Sequence, residues 1–190
     1  MSEKELTYLQ NERINKPLIE DYIVKYLNGD KMRNALAFNE YMRENKTPLR
    51  KESRLHTWNR IYKGKPICEV FIGGDVPGLY PGNWRIRLRL NNMETYKDSI
   101  INEGWQDIFW SKVEYCKHSK KSPHYGTKFS DCKPPKGCIM GENRIVLGKM
   151  FENYCSACNL GDFWNPDEAV INGMIKKLID YEKRAREATK

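Results

Sequence analysis

Cysteine thiols are the side chains in this sequence with the clearest capacity for chemistry. Five of the six cysteines lie between Cys116 and Cys158, and the last two form a C-x-x-C pair. That spacing turns two thiolates toward one ion, as in zinc knuckles. The other two ligands would come from Cys132 and Cys138, which are spaced more widely than the C-x-x-C pair. We therefore predict a structural zinc ion with four thiolate ligands. These ligands are Cys132, Cys138, Cys155 and Cys158.

Two other uses of these thiols stay open. A nucleophilic or redox thiol needs a lowered pKa, and nearby lysines would lower it. Cys155 and Cys158 are therefore candidates for a thiol-dependent enzyme. Alternatively, the cysteines are ordinary reduced thiols, some of them buried as small apolar side chains. A zinc deaminase is excluded, because no histidine is followed by glutamate two positions later.

Positive charge suggests a further class of partner. Lysine and arginine outnumber aspartate and glutamate by 33 to 25, and with neutral histidines the formal net charge is +8. This excess fits either a soluble surface or anionic partners. Nucleic acid is one such partner, since Tyr125 and Phe129 would stack on unpaired bases. The sequence contains no recognised nucleic-acid-binding motif. The lysines concerned are Lys117, Lys120, Lys121, Lys128, Lys133 and Lys136.

A strand with alternating arginines offers another candidate site. Residues 84–90 alternate apolar and basic side chains, which predicts a strand with an apolar face and an arginine face. The arginines either bind anions, or are solvated or paired with carboxylates. We expect a cleft for a flat or anionic small molecule, although its aromatic residues also suit a core. Its predicted ligand-binding residues are Trp58, Trp84, Arg85 and Arg87.

Regular elements must position these residues. Helical periodicity with breaks at Gly29 and Thr47-Pro48 predicts N-terminal helices over 15–46. Strands and then helices follow over 54–113, including a hairpin around Lys63-Gly64-Lys65. A C-terminal helix is predicted over 165–187, with Asn165 as its N-cap.

This order of elements predicts an α+β fold. An antiparallel meander would carry helices packed on one face, in a single domain over residues 1–190. The segment 114–164 lacks periodicity and is predicted to be an irregular, basic, cysteine-rich loop. Neither an apolar N-terminal run nor a stretch of membrane-helix length occurs, so we expect a cytoplasmic protein with reduced thiols and no membrane partner.

Several further motifs stand out: Cys132-Lys133-Pro134, residues 145–155 (IVLGKMFENYC), Asn165-Pro166-Asp167-Glu168-Ala169, the segment Trp58 to Ile72, and the strand Trp84 to Leu90. Together they resemble the motifs of a group of small bacterial proteins that share a domain of unknown function. The resemblance spans about Leu55 to Lys177 and implies a bacterial, cytosolic protein in which the cysteine segment is a family feature. It implies no activity.

Overall fold

The computed structural model describes residues 10, 17–74, 80–116, 141–155 and 160–188. These residues form an α+β fold with a five-stranded antiparallel sheet, which confirms the predicted fold class. The chain divides into two compact units, one made of Met1–Asn91 with Gly161–Lys190 and one of Asn92–Leu160. The single-domain organisation stays a prediction.

Seven strands are present in the described residues. They are β1 (Leu49–Lys51), β2 (Thr57–Tyr62), β3 (Lys65–Ile72), β4 (Trp84–Leu88), β5 (Glu142–Val146), β6 (Lys149–Tyr154) and β7 (Asp162–Trp164). The first unit contains the sheet, in the order β1-β2-β3-β4-β7, and the second contains the β5-β6 hairpin. Three strands therefore lie in the segment 114–164, and the prediction of an irregular loop is wrong for them.

The helices of the described residues lie before, between and after the strands. They are α1 (Ile19–Tyr26), α2 (Gly29–Glu44), α3 (Lys97–Asn102), α4 (Gln106–Trp110) and α5, which joins Glu168–Val170, a π-helical turn at Ile171–Ile175, and Lys176–Ala188. Asp167 caps α5, because its Oδ1 accepts a hydrogen bond from the Val170 amide at 2.8 Å. The prediction of Asn165 as the N-cap is wrong.

The β2-β3 hairpin has the predicted tight turn. Tyr62 pairs with Lys65, which leaves Lys63 and Gly64 as the two turn residues, with φ of 47° and 76°. Two positive φ values are typical of the type I′ turn, whose twist matches that of the strands. The turn therefore sets the register in which β3 presents its side chains.

One face of the five-stranded sheet is covered by helices and is called the helix face below. Trp84 of β4 lies 6.3 Å from Phe38 of α2, and Trp58 of β2 lies 5.2 Å from Tyr22 of α1, between ring centroids. Along β4 the buried residues alternate with half-buried arginines, as predicted. Burial of these large apolar side chains is the main stabilising contribution of this face.

β7 is attached to β4 by a close backbone approach. The Leu88 amide donates a hydrogen bond to the Gly161 carbonyl at 2.9 Å. A Cβ atom on Gly161 would lie 2.4 Å from the Leu88 carbonyl oxygen, so a side chain cannot fit there. This contact places Asp162 opposite Arg87 and Trp164 opposite Arg85.

The second unit has its own small core. Within it, Trp110 Nε1 donates a hydrogen bond to the Val146 carbonyl at 2.9 Å, which ties α4 to the β5-β6 hairpin. Phe109 and Tyr154 are buried. Among the described helices of both units, none is long and apolar enough to cross a membrane.

Candidate functional site

The sheet face opposite the helices carries a cluster of ionic side chains. Its members, which we call the arginine face, are Arg54, Glu69, Arg85, Arg87, Arg89 and Asp162. Strand pairing explains the cluster, because Glu69 of β3 lies opposite Arg87 of β4, and Asp162 of β7 lies on the other side of Arg87. Three neighbouring strands thus each contribute charged side chains to the same face.

Glu69 is the centre of the cluster. Its carboxylate is fully buried and accepts hydrogen bonds from three guanidinium groups. Arg85 Nη2 donates to Oε1 at 2.7 Å, Arg89 Nη2 donates to Oε2 at 3.1 Å, and Arg54 also donates to Oε2. A buried carboxylate is tolerated only with such partners, because desolvation of an unpaired charge costs several kcal/mol.

Asp162 holds the second carboxylate of the cluster. It accepts two hydrogen bonds from Arg87, from Nε at 2.6 Å and from Nη2 at 2.7 Å. This bidentate geometry is the strong form of an arginine–carboxylate pair. The hydrogen bonds to Asp162 raise the pKa of Arg87 above its ordinary value, so Arg87 stays cationic.

The arginine face carries more positive than negative charge. Four guanidinium groups face two carboxylates, so two positive charges are in excess within this cluster. Burial, and then repulsion by Arg87, lowers the pKa of Arg85. The Arg85 Nε–H is also buried without a hydrogen-bond acceptor among the described residues. An additional anion would therefore be bound favourably at this face.

Aromatic rings flank the excess charge. The Arg85 guanidinium lies 5.6 Å from the Phe71 ring centre and 5.2 Å from that of Trp164. Trp164 is 44% exposed, and the exposed ring of Tyr80 lies 5.3 Å from it in an edge-to-face arrangement. Exposed aromatic rings beside arginines form a surface on which a planar ring can stack while an attached anionic group meets a guanidinium.

The four predicted ligand-binding residues do not share one face. Arg85 and Arg87 belong to the arginine face, whereas Trp58 and Trp84 lie on the helix face and are almost fully buried. Period-two alternation requires this separation for Trp84, which is adjacent to Arg85 in the strand. The structure therefore brings the two arginines together and leaves both tryptophans in the core.

Sequence reasoning missed Arg54 and Tyr80, and it also missed three central members of the site, which are Glu69, Asp162 and Trp164. A signal existed for Glu69, since a lone carboxylate inside the apolar strand Ile67–Ile72 needs a cationic partner. No comparable signal existed for the other two, because β7 has only three residues and no measurable periodicity.

Three of the four predicted zinc ligands, Cys132, Cys138 and Cys158, lie outside the described residues. All six lysines of the nucleic-acid hypothesis also lie outside them. Cys155 is half-buried, and its amide donates to the Glu114 carbonyl at 2.8 Å. The Cys116 amide donates to the Asn153 carbonyl at 2.7 Å. The described residues contain no group of three potential metal ligands. Zinc binding stays a prediction.

Comparisons with models of protein families, with curated proteins and with solved structures find no match to this chain. The resemblance to the bacterial family with a domain of unknown function, and the bacterial origin it implies, stay predictions. Any proposal about function must therefore come from the geometry of the sites.

Proposed function

We propose that this protein binds a small molecule that combines a planar ring with an anionic group, and that the arginine face is its binding site. One observation carries the proposal: a surplus of guanidinium charge lies directly beside the exposed rings of Trp164 and Tyr80.

The two halves of such a ligand would meet different groups. The planar ring stacks on Trp164 or Tyr80, the exposed aromatic residues of the site. The anionic group approaches the half-exposed Arg54 or Arg89, which retain unused N–H donors because each makes one hydrogen bond to Glu69. Glu69 and Asp162 hold the guanidinium groups in place, so little side-chain entropy is lost on binding.

The proposal is tested by calorimetric titration with adenosine monophosphate, which carries both a planar ring and a phosphate. Adenosine and inorganic phosphate serve as its two halves. We expect saturable binding with a Kd below about 1 mM, and at least ~10-fold weaker binding of either half, since each lacks one set of contacts. Binding of adenosine monophosphate no tighter than inorganic phosphate would exclude the stacking role of Trp164.

A matched pair of variants separates the site from general charge attraction. Arg54→Gln removes a half-exposed cation of the site, whereas Arg33→Gln removes an exposed, carboxylate-paired cation from α2, which packs on the helix face. We expect ~3- to 10-fold weaker binding in the first variant and less than about twofold in the second. Equal losses would mean that the net charge of the protein, rather than this site, attracts the probe.

A short single-stranded oligothymidylate distinguishes the nucleic-acid alternative. Stacking surfaces beside cationic groups also bind unpaired nucleic acid, with a steep dependence on salt. Saturable binding of the mononucleotide supports the small-molecule proposal. Binding of the oligonucleotide alone would replace it with a nucleic-acid function. The cytoplasmic location stays a prediction alongside this function.

Zinc stabilisation of the second unit is a separate proposal, supported by one observation. Antiparallel pairing of Tyr115 with Tyr154 places Cys116 opposite Asn153 and Cys155 opposite Glu114, so these two cysteines lie at diagonal positions on neighbouring chain segments. Elemental analysis of protein purified under reducing conditions tests this proposal. We expect about one zinc per chain, and less than ~0.2 equivalents would reject it.

A further inference from the structure

Arg60 differs from the other buried arginines of the described residues. It lies on the helix face of β2, is only 4% exposed, and has no carboxylate within ion-pair distance among those residues. Its hydrogen bonds go to neutral groups: Nη1 donates to the Thr47 carbonyl and Nη2 to the Asn39 carbonyl, each at 3.0 Å. With only neutral hydrogen-bond acceptors, the Arg60 guanidinium has no ion-pair partner, and Glu20 attracts its charge only at longer range.

One donor of this guanidinium is unused. The Nε–H of Arg60 is buried and has no acceptor among the described residues. A buried N–H without an acceptor costs about 1–3 kcal/mol, so native proteins rarely leave one unless a water molecule or a ligand completes it. The backbone is also irregular here, because the pairing of β2 with β3 shifts register between Arg60 and Ile61. Such bulges re-aim side chains and occur often beside binding sites.

Arg60 lines a cleft of about 510 Å³ between α1, the end of α2 and β1. This volume lies within the range of small-molecule sites. Besides Arg60, the cleft is lined by the cations Arg43 and Lys46 and by one carboxylate, Glu20. The balance of charge in the cleft is therefore positive, and its deepest cation is the one without a carboxylate partner.

The remaining lining is largely apolar. Leu18, Pro48 and Leu49 form one side of the cleft, while the Thr47 hydroxyl is already used as a donor to the Met42 carbonyl. A ligand therefore finds one edge of a buried guanidinium, peripheral positive charge and an apolar wall. This combination suits a monoanion with a short hydrocarbon tail better than a phosphate, which needs several donors at once.

We propose that the cleft beside Arg60 is a second binding site, which takes a small organic monocarboxylate. The Arg60 side chain turns its unused Nε–H toward the cleft, where one carboxylate oxygen accepts the hydrogen bond, and the tail packs on Leu18, Pro48 and Leu49. Arg43 and Lys46 contribute long-range attraction from the rim. The site lies on the helix face, whereas the arginine face lies on the other side of the sheet. Each of the two binding proposals can therefore be rejected without affecting the other.

The test follows the Arg60 guanidinium directly. Proton–nitrogen correlation spectra of the whole protein resolve arginine Nε–H signals, and the Arg60 signal is assigned through its side-chain correlations and its loss in Arg60→Lys. Butanoate is the probe, and butan-1-ol is its neutral analogue. We expect a saturable downfield shift of the Arg60 signal with butanoate and none with butan-1-ol, because only the carboxylate is a charged acceptor.

Helix α2 offers a closely matched pair of variants. Arg43 and Arg33 are both exposed and each pairs with a carboxylate three residues earlier, Glu40 and Asp30. Only Arg43 lines this cleft. We expect Arg43→Gln to raise the Kd for butanoate ~3- to 10-fold and Arg33→Gln to change it less than about twofold. Arg54→Gln, on the arginine face, should leave the Kd for butanoate unchanged.

Three outcomes would overturn the proposal. The first is an Arg60 signal that does not move through about 50 mM butanoate, a concentration that fills sites of millimolar Kd. Another is an equal shift with butan-1-ol, which would show that only apolar contact occurs. The third is a shift with inorganic phosphate and none with butanoate, which would contradict the carboxylate assignment. None of these outcomes depends on Arg60→Lys folding, because the wild-type signal is followed.

Discussion

Arg85 and Arg60 lie on opposite faces of the same sheet, and the protein compensates their buried charges differently. Arg85 donates to Glu69 and lies near Asp162, within a network of charged hydrogen bonds. Arg60 donates only to backbone carbonyls, one of them from α2. On the arginine face the fold supplies two carboxylates for four guanidinium groups, and both carboxylates lie near Arg85. On the helix face a guanidinium is positioned by the fold without being neutralised, and so a ligand can supply the missing charge.

The largest expected effect comes from the carboxylate that holds the arginine face together. Glu69→Gln keeps the size of the side chain and removes its charge, which leaves Arg54, Arg85 and Arg89 without their shared anion. We expect the free energy of unfolding to fall by about 3–5 kcal/mol, as when one partner of a buried ion pair is removed. Urea denaturation measures this loss. Asp162→Asn, at a partly exposed position, should cost clearly less, and equal losses would contradict the central role of Glu69.

A backbone substitution separates the contribution of β7. Gly161→Ala places a Cβ atom against the Leu88 carbonyl oxygen, so β7 must move away from β4. This movement separates Asp162 of β7 from Arg87 of β4. We expect a loss of about 2–3 kcal/mol in unfolding free energy, together with weaker binding of adenosine monophosphate. Gly173→Ala is the control, since its Cβ atom meets nothing within 4 Å. A stable Gly161→Ala protein would show that the close approach is not essential.

Replacement of Arg60 should cost much less than replacement of Glu69. Arg60→Met removes two hydrogen bonds to carbonyls and also removes a buried, unpaired cation, and these effects partly cancel. We expect a change of about 1 kcal/mol or less in unfolding free energy by urea denaturation. Butanoate should raise the thermal midpoint of the wild type and leave that of Arg60→Met unchanged. A loss as large as that of Glu69→Gln would remove the contrast between the two faces.

The last prediction concerns alkaline pH and the core of the helix face. Burial raises the pKa of Cys68 to about 12 from the ordinary value of 9. The folded protein therefore keeps the thiol proton above pH 9 while the unfolded chain loses it. The stability from this group is complete below pH 9 and is lost between pH 9 and 12, at ~1.4 kcal/mol per pH unit. Urea denaturation from pH 8 to 10 should show a shallower decline for Cys68→Ala than for the wild type; parallel curves would contradict this assignment.

The sequence was most informative where pairing is local. The β2-β3 hairpin follows from two adjacent patterns joined at Lys63-Gly64, and the alternation in β4 separates Arg85 from Trp84 without any tertiary information. Glu69 and Arg60 occupy strand positions whose face could be assigned by counting from Trp58 and Cys68. Their partners could not be assigned, because an arginine in a strand pattern does not show whether a carboxylate or a carbonyl faces it.

The part that could not be predicted depends on long-range pairing. Asp162 and Trp164 reach the arginine face only because β7 returns to β4 after more than seventy intervening residues. A strand of three residues gives no periodic signal, and sequence spacing contains no information about which edge of a sheet it will join. The candidate site was therefore half visible in the sequence, through its arginines, while its aromatic and acidic members were not.

The junction of β4 and β7 has a consequence for how this chain tolerates change. The chain leaves the sheet after Leu88 and re-enters it at Gly161, and these two residues are joined by a 2.9 Å hydrogen bond. The residues between them form an insertion whose two ends are held together by this hydrogen bond. The entropic cost of closing such a loop rises only slowly with the length of the insertion. Excision of residues 92–160 and replacement by a short glycine-rich connector should leave the five strand neighbours intact.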